Sequence, residues 1–297
     1  MNSILYHRFL AGVSAPLLTI SLCASEIVTP EADVTEIASG YSFTEGGARD
    51  SEGNVYLSDI PNNRVHLWDA QSNTVSLFLE DSQGANGCWI DEEGNLIVAQ
   101  GRGRQISKIN ADGKREVLVD NYMGKKFNSP NDLWIDENGG IYFSDPRYGQ
   151  NREDMELVGE QVYYLSPDGN TLTQVTDDLV RPNGLIGSLD GKILYIADHG
   201  GGKTFAYDVG ENGSLTNKRL FAPEGSDGVT IDEKGNIYLT TDAVKVYRPD
   251  GSFLQEIKVP KRPSNVCFGG KNGKTLFITA RQSVYSLAMQ VHGPTPN

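Results

Sequence analysis

The chain has 297 residues, 38% of them hydrophobic, and a formal net charge of −13. That is enough apolar content for a full buried core, and the wrong sign of charge for nucleic acid or an anionic membrane surface, each of which asks for a basic patch. No Pro- or Ser-rich linker interrupts the sequence, so a single domain is expected after the leader.

The leader comes first. Arg8 precedes an apolar stretch, residues 9–23, that is short for a membrane span, and the small residues Cys23, Ala24 and Ser25 follow. This is the pattern of an export signal cleaved near Ala24 or Ser25. It predicts a signal peptide over 1–25 and a mature chain of 26–297 that is periplasmic or secreted, with no membrane attachment. Acylation at Cys23 is the variant reading; Leu22 stands where such signals carry a small residue.

From residue 45 onward an acidic or amide residue stands eight positions before the glycine of a hairpin turn, six times over: Glu45/Gly53, Asn86/Gly94, Asn131/Gly139, Asn183/Gly191, Asp227/Gly235 and Asn265/Gly273. Each turn leads into a β-rich run: VYLSD, LIVAQ, IYFSD, ILYIAD, IYLTT, TLFITA. The turn glycines are 41, 45, 52, 44 and 38 residues apart, the period of β-propeller blades. Four strands are expected per unit; in the second they span 85–90, 96–100, 105–110 and 115–120, with Asp112-Gly113 as the hairpin turn between the last two. The sixth unit ends after its third strand, and the unclaimed segment 34–38 suits the missing outer strand. The expected fold is therefore all-β: a six-bladed β-propeller closed by an N-terminal strand in the last blade. The surplus of the longest interval, PRYGQNREDMELVGE after Asp145, is too long and polar for a hairpin and should hang over the face where first strands begin.

In such a ring the six oxygen-bearing side chains converge on the axis. Glu45, Asn131, Asn183 and Asp227 together supply two carboxylates and two amide carbonyls, a hard-oxygen set suited to Ca²⁺, which takes about six to eight such ligands. Zn²⁺ would ordinarily bring His or Cys, and ligand type leaves Mg²⁺ and Mn²⁺ open. Asn86 and Asn265 are equally accounted for as caps of strand starts. Cys88 and Cys267 each lie two residues past a ring member, so on a strand they share its face and point to the axis one layer below. Their counterparts are Gly47, Leu133, Leu185 and Val229. Because the two thiols belong to blades two and six, with blade one between, they are expected to be small apolar fillers and not a disulfide.

The stretches FTEGGARDSEGNVYLSD, NSPNDLWIDENGGIYFSDPRYG, RPNGLIGSLDGKILYIAD, GSDGVTIDEKGNIYLTT and SNVCFGGKNGKTLFITAR, in order and properly spaced over about residues 34–293, resemble the gluconolactonase branch of the SMP-30/gluconolactonase/luciferin-regenerating-enzyme family. The resemblance implies a six-bladed propeller with one divalent metal in its central channel and hydrolysis of a sugar lactone. It also implies Glu45, Asn131, Asn183 and Asp227 as the metal ligands, with Asp227 as catalytic base. Animal-type members carry an Arg two residues before the ND-motif Asn; here Ser129 stands there, as in the secreted bacterial form. Asn86, Ser129, Arg147 and Tyr148 are the expected substrate contacts, and direct nucleophilic attack by Asp227 is the alternative to base catalysis. Two other functions fit the same ring: an esterase or phosphotriesterase on the same metal, and a non-catalytic extracytoplasmic binding propeller. The sequence sets no oligomeric state.

Overall fold

A computed structural model describes residues 26–148 and 151–294; the export-signal reading of residues 1–25, including Cys23, lies outside the described residues. The six turn glycines behave alike. Gly53, Gly94, Gly139, Gly191, Gly235 and Gly273 have φ of 90°, 80°, 87°, 67°, 77° and 67°, a region open to glycine at little steric cost. Each donates its N–H to the carbonyl three residues back, at 2.9–3.1 Å. The turn thus reverses the chain and fixes which face of the next strand looks inward.

Six four-stranded antiparallel sheets follow among the described residues, five of them adding their strands in sequence order from the axis outward. Blade one is Thr44–Arg49, Val55–Asp59, Arg64–Asp69 and Thr74–Glu80. Blade two is Ala85–Ile90, Leu96–Gln100, Gln105–Ile109 and Arg115–Val119, within a residue of expectation at every end. Blades three, four and five begin at Leu133–Ile135, Pro182–Gly187 and Val229–Ile231. The sixth sheet consists of Asn265–Gly269, Thr275–Ala280 and Ser283–Ala288, with Thr35–Ser39 paired antiparallel to Ser283–Ala288 as its outer strand. Just before that strand, Ile27 is buried among Val246, Ile257 and Met289. Each first strand packs against the first strand of the next blade, and that of blade six against that of blade one. This is a closed ring of six blades.

The core lies between the blades. Second strands are buried along nearly their whole length, whereas fourth strands such as Thr74–Glu80 and Arg115–Val119 are half exposed. The largest fully buried side chains include Tyr142, Tyr163, Tyr238, Phe127, Phe143 and Phe277, each worth about 1.5–3 kcal/mol of apolar burial. Among the described residues the helical structure is a single 3₁₀ turn, Glu211–Gly213, and no helix is long and apolar enough to cross a membrane. A small hairpin, Asn121–Tyr122 with Lys125–Lys126, lies between blades two and three; the repeat pattern gives no sign of it.

Candidate functional site

What each first strand presents to the axis depends on a local break in its ladder. In blades one, two and four the pairing of first with second strand slips between Glu45 and Ala48, Ala85 and Cys88, and Pro182 and Leu185. In blades two and four the slip is a bulge holding the ring residue and the glycine after it; in blade one it holds Gly46 and Gly47, just past Glu45, which pairs with Ser58. Each bulge bends the strand and re-aims the side chains beside it. In blades three and five the strands begin only at Leu133 and Val229, just past Asn131 and Asp227. Blade six carries Val266 where most blades carry glycine, and its ladder runs unbroken from Asn265 to Gly269.

Three of these breaks are held from behind by a buried carboxylate at the end of the second strand. Asp59 accepts the N–H groups of Ser42 and Phe43 (both 3.1 Å). Asp145 accepts those of Asn128 and Ser129 (2.8 and 2.7 Å), and Asp198 those of Val180 and Arg181 (3.1 and 2.8 Å). In every case the donors lie three and two residues before the ring side chain: Glu45, Asn131 and Asn183. Gln100, Thr241 and Ala280 occupy the same place in the other blades.

Glu45, Asn131 and Asn183 are buried and Asp227 is partly exposed. Asn183 Nδ2 donates to Asp227 Oδ1 at 2.6 Å and to the Tyr148 hydroxyl at 2.5 Å. The orientation of this amide follows from its partners, since only the nitrogen can donate to a carboxylate. Burial, then the charges of Asp227 and Asp132, push the Glu45 carboxyl well above the usual range, against hydrogen bonds from Asn265 and Gly46. Burial also raises Asp227, opposed by His199, Asn183, Arg262 and Arg281. Among the described residues no Lys or Arg forms an ion pair with Glu45, Asp132 or Asp227. Negative charge without a cationic partner is costly in such surroundings. No three His, Cys, Asp or Glu side chains among the described residues are grouped closely enough to hold a metal by themselves, so a cation here would draw on the amide oxygens as well.

Asp132 is the residue that sequence reasoning missed. It is buried, its carboxyl is raised to about 7 chiefly by burial, and it accepts the Leu133 N–H at 2.9 Å. The signal was present: the residue after the ring member is glycine in blades one, two, four and five, and Asp in blade three. Asn265 differs from the other ring members. Its Oδ1 accepts the Val266 N–H at 2.8 Å, and its side chain acts on both Glu45 and Asp132 to lower their carboxyls, so it supports the ionised form of each.

The expected substrate contacts fall in different places. The Asn86 side chain is half-buried and hydrogen-bonds to no described residue, while its main-chain oxygen accepts from Ser58 Oγ at 2.7 Å. Ser129 is tied through its N–H to Asp145, and its Oγ abuts Gly101 of blade two. The Arg147 guanidinium is taken up by the Asn128 carbonyl (2.9 Å), the Asn151 carbonyl (3.2 Å) and Asp154, so it fastens the insertion and is not brought to the ring. Tyr148, from the same insertion, does reach the ring through Asn183. Below, a cavity of about 40 Å³ is lined by Gly47, Cys88, Leu133, Leu185, Val229 and Cys267, the six members of the predicted second layer, together with Asp132 and Asn265. Both thiols are free and buried, and burial pushes each up to about 12.

A closed six-bladed propeller with an acidic, amide-lined mouth on its axis defines the class of protein. The chain belongs to the SMP-30/Gluconolactonase/LRE-like family, whose family model matches residues 43–282. A gluconolactonase of Zymomonas mobilis is 34% identical over 303 aligned residues, which cover 90% of this chain and 83% of the relative. A lactonase of Staphylococcus saprophyticus is 28% identical over 235 residues, 73% of this chain and 70% of the relative. The solved structure of a Xanthomonas campestris gluconolactonase superposes with a TM-score of 0.82 at 30% identity, over 88% of this chain and 91% of that one.

Proposed function

We propose that this protein is an extracytoplasmic lactonase that opens a sugar lactone with the help of one divalent cation. The observation that carries the reading is the pair of carboxylates, Glu45 and Asp227, set beside two amide side chains, with no Lys or Arg among the described residues in ion-pair contact with either. The relatives named as gluconolactonases and lactonases support the substrate class. The apolar leader supports the location.

Glu45, Asn131, Asn183 and Asp227 would hold the cation, with Ca²⁺ the first choice for an all-oxygen set and Zn²⁺, Mg²⁺ or Mn²⁺ as alternatives. When bound, it supplies Lewis acidity toward a lactone carbonyl. The chain's own part is proton transfer and positioning. Asp227 Oδ1 is engaged by Asn183, which fixes the carboxylate plane and leaves Oδ2 to take the proton of an attacking water. Water adds to the carbonyl carbon, the ring C–O bond breaks, and the proton passes to the departing alkoxide, giving a hydroxy acid. Asn86, Ser129 and Tyr148 would border the path by which a sugar ring enters, and Arg147 would hold the insertion beside it. Leu133, Leu185 and Val229 line the cavity below the site and give it apolar walls there.

The test is elemental analysis of the purified protein by inductively coupled plasma, with a pH-stat assay on glucono-1,5-lactone with and without chelator. One divalent ion per chain is expected, with activity lost on chelation and restored by Ca²⁺ or another divalent ion. Asn131→Ala and Asn183→Ala should each lower metal content without unfolding the blades. A metal-free wild type that hydrolyses the lactone regardless of chelator would sink the metal half of the reading, and a metal-loaded wild type that hydrolyses no lactone would sink the other half.

A further inference from the structure

An asparagine that ligates a cation must present its oxygen and not its nitrogen, yet the two ends of the amide have nearly the same shape. Something must hold Asn183 one way round. Both hydrogens of its Nδ2 are used: one goes to Asp227 Oδ1 at 2.6 Å, the other to the Tyr148 hydroxyl at 2.5 Å. No described residue hydrogen-bonds to its Oδ1. A phenol that accepts from an amide must send its own proton elsewhere, and His199 Nδ1 lies 2.9 Å from the Tyr148 oxygen. With the imidazole neutral and its proton on Nε2, the directions run along the chain: Asn183 N–H to Tyr148 oxygen, Tyr148 O–H to His199 Nδ1.

The Tyr148 ring is itself held. The Arg181 guanidinium lies 5.3 Å from its centroid and the His199 ring 5.9 Å. Arg181 Nε donates to Glu160 Oε2 at 3.0 Å, and the buried Glu160 also accepts the Arg147 N–H at 2.8 Å and pairs with Arg152. The insertion is thereby fastened with its tyrosine directed at one ring residue.

We propose that Tyr148 and His199 are positioning residues that lock the Asn183 amide with its carbonyl oxygen toward the bound cation. This rests on the ligand reading given above. It gives the insertion after Asp145 a task at the ring, and it assigns His199 a role through Tyr148 and not through substrate.

The test is titration of the metal-stripped protein with Ca²⁺, and in a second arm Zn²⁺, by calorimetry and without substrate. Outer-shell groups of this kind are worth about 10–100-fold in metal affinity. Tyr148→Phe should weaken binding by that order, and His199→Phe by a smaller factor, because the phenol oxygen still accepts. A carboxylate offers oxygen either way round, so in an Asn183→Asp background the Tyr148→Phe change should shift Kd by no more than about twofold. Melting of the metal-free variants at the wild-type temperature checks the fold. If wild type binds while Tyr148→Phe binds equally well and shows only a raised KM, Tyr148 is a substrate contact and the inference falls alone. A wild type that takes up neither ion overturns the ligand reading and this inference together.

Discussion

Asp227 is asked both to face a cation and to take a proton, and one substitution separates the two tasks. Asp227→Asn keeps a carbonyl oxygen of the same size but cannot act as a base. Turnover should fall by about 10²–10⁴-fold while metal content per chain stays close to wild type; a variant that keeps its ion and opens lactone at the parental rate would reduce Asp227 to a ligand. The four proposed ligands were legible because a turn glycine with positive φ stands eight positions after each. Asp132 was not. A fixed offset samples one residue per blade, and Asp132 sits one place further on, where the other blades have glycine or valine. Nor could the offset reveal that Asn265 spends its Oδ1 on its own neighbour's N–H; that depends on an unbulged ladder, and bulges are set by pairing across strands.

Two elements hold the ring from outside it. The first is the trio Asp59, Asp145 and Asp198, which fixes the chain just ahead of three ring residues. Asp145→Ala leaves the N–H groups of Asn128 and Ser129 without acceptors, at about 1–3 kcal/mol each, and should weaken metal binding as well as lower the melting temperature. Gln100→Ala in blade two, where Gln100 holds the Ser82 carbonyl at 2.7 Å, should lower stability alone. Equal metal affinity in both variants would show that the trio serves only the fold. The second element is Thr35–Ser39 with the buried Ile27 ahead of it. Deleting residues 26–40 bares the edge of Ser283–Ala288 and empties the site of Ile27, a loss of about 2–5 kcal/mol from that side chain alone. With about 2–4 °C per kcal/mol for a chain of this size, the truncated protein should melt some 10 °C lower or aggregate, as differential scanning fluorimetry and light scattering would record. Unchanged melting and solubility would mean that the ring is secured without this strand.

At the scale of the molecule, the blade count, the strand order within each blade and the inward layers were legible because all three repeat. What does not repeat was hidden: the hairpin at Asn121–Tyr122 and Lys125–Lys126, and the way the blade-three insertion is fastened by Arg147, Arg181 and Glu160. The inner strands of neighbouring blades also touch backbone to backbone. Gly87 N donates to Asn131 O (2.7 Å), Gly184 N to Asp227 O (2.7 Å) and Gly228 N to Ser264 O (2.8 Å). A methyl group on Gly184 would stand 2.6 Å from the Asp227 carbonyl oxygen, closer than such atoms approach. At these three junctions the spacing of the inner strands is set by main chain, and the ring side chains there are fittings in a socket of fixed bore. A carboxylate can move from one blade to the next, or an amide be exchanged for it, without the socket changing diameter. In such a frame a substitution at one ring position alters the charge around the opening and leaves its bore as it was.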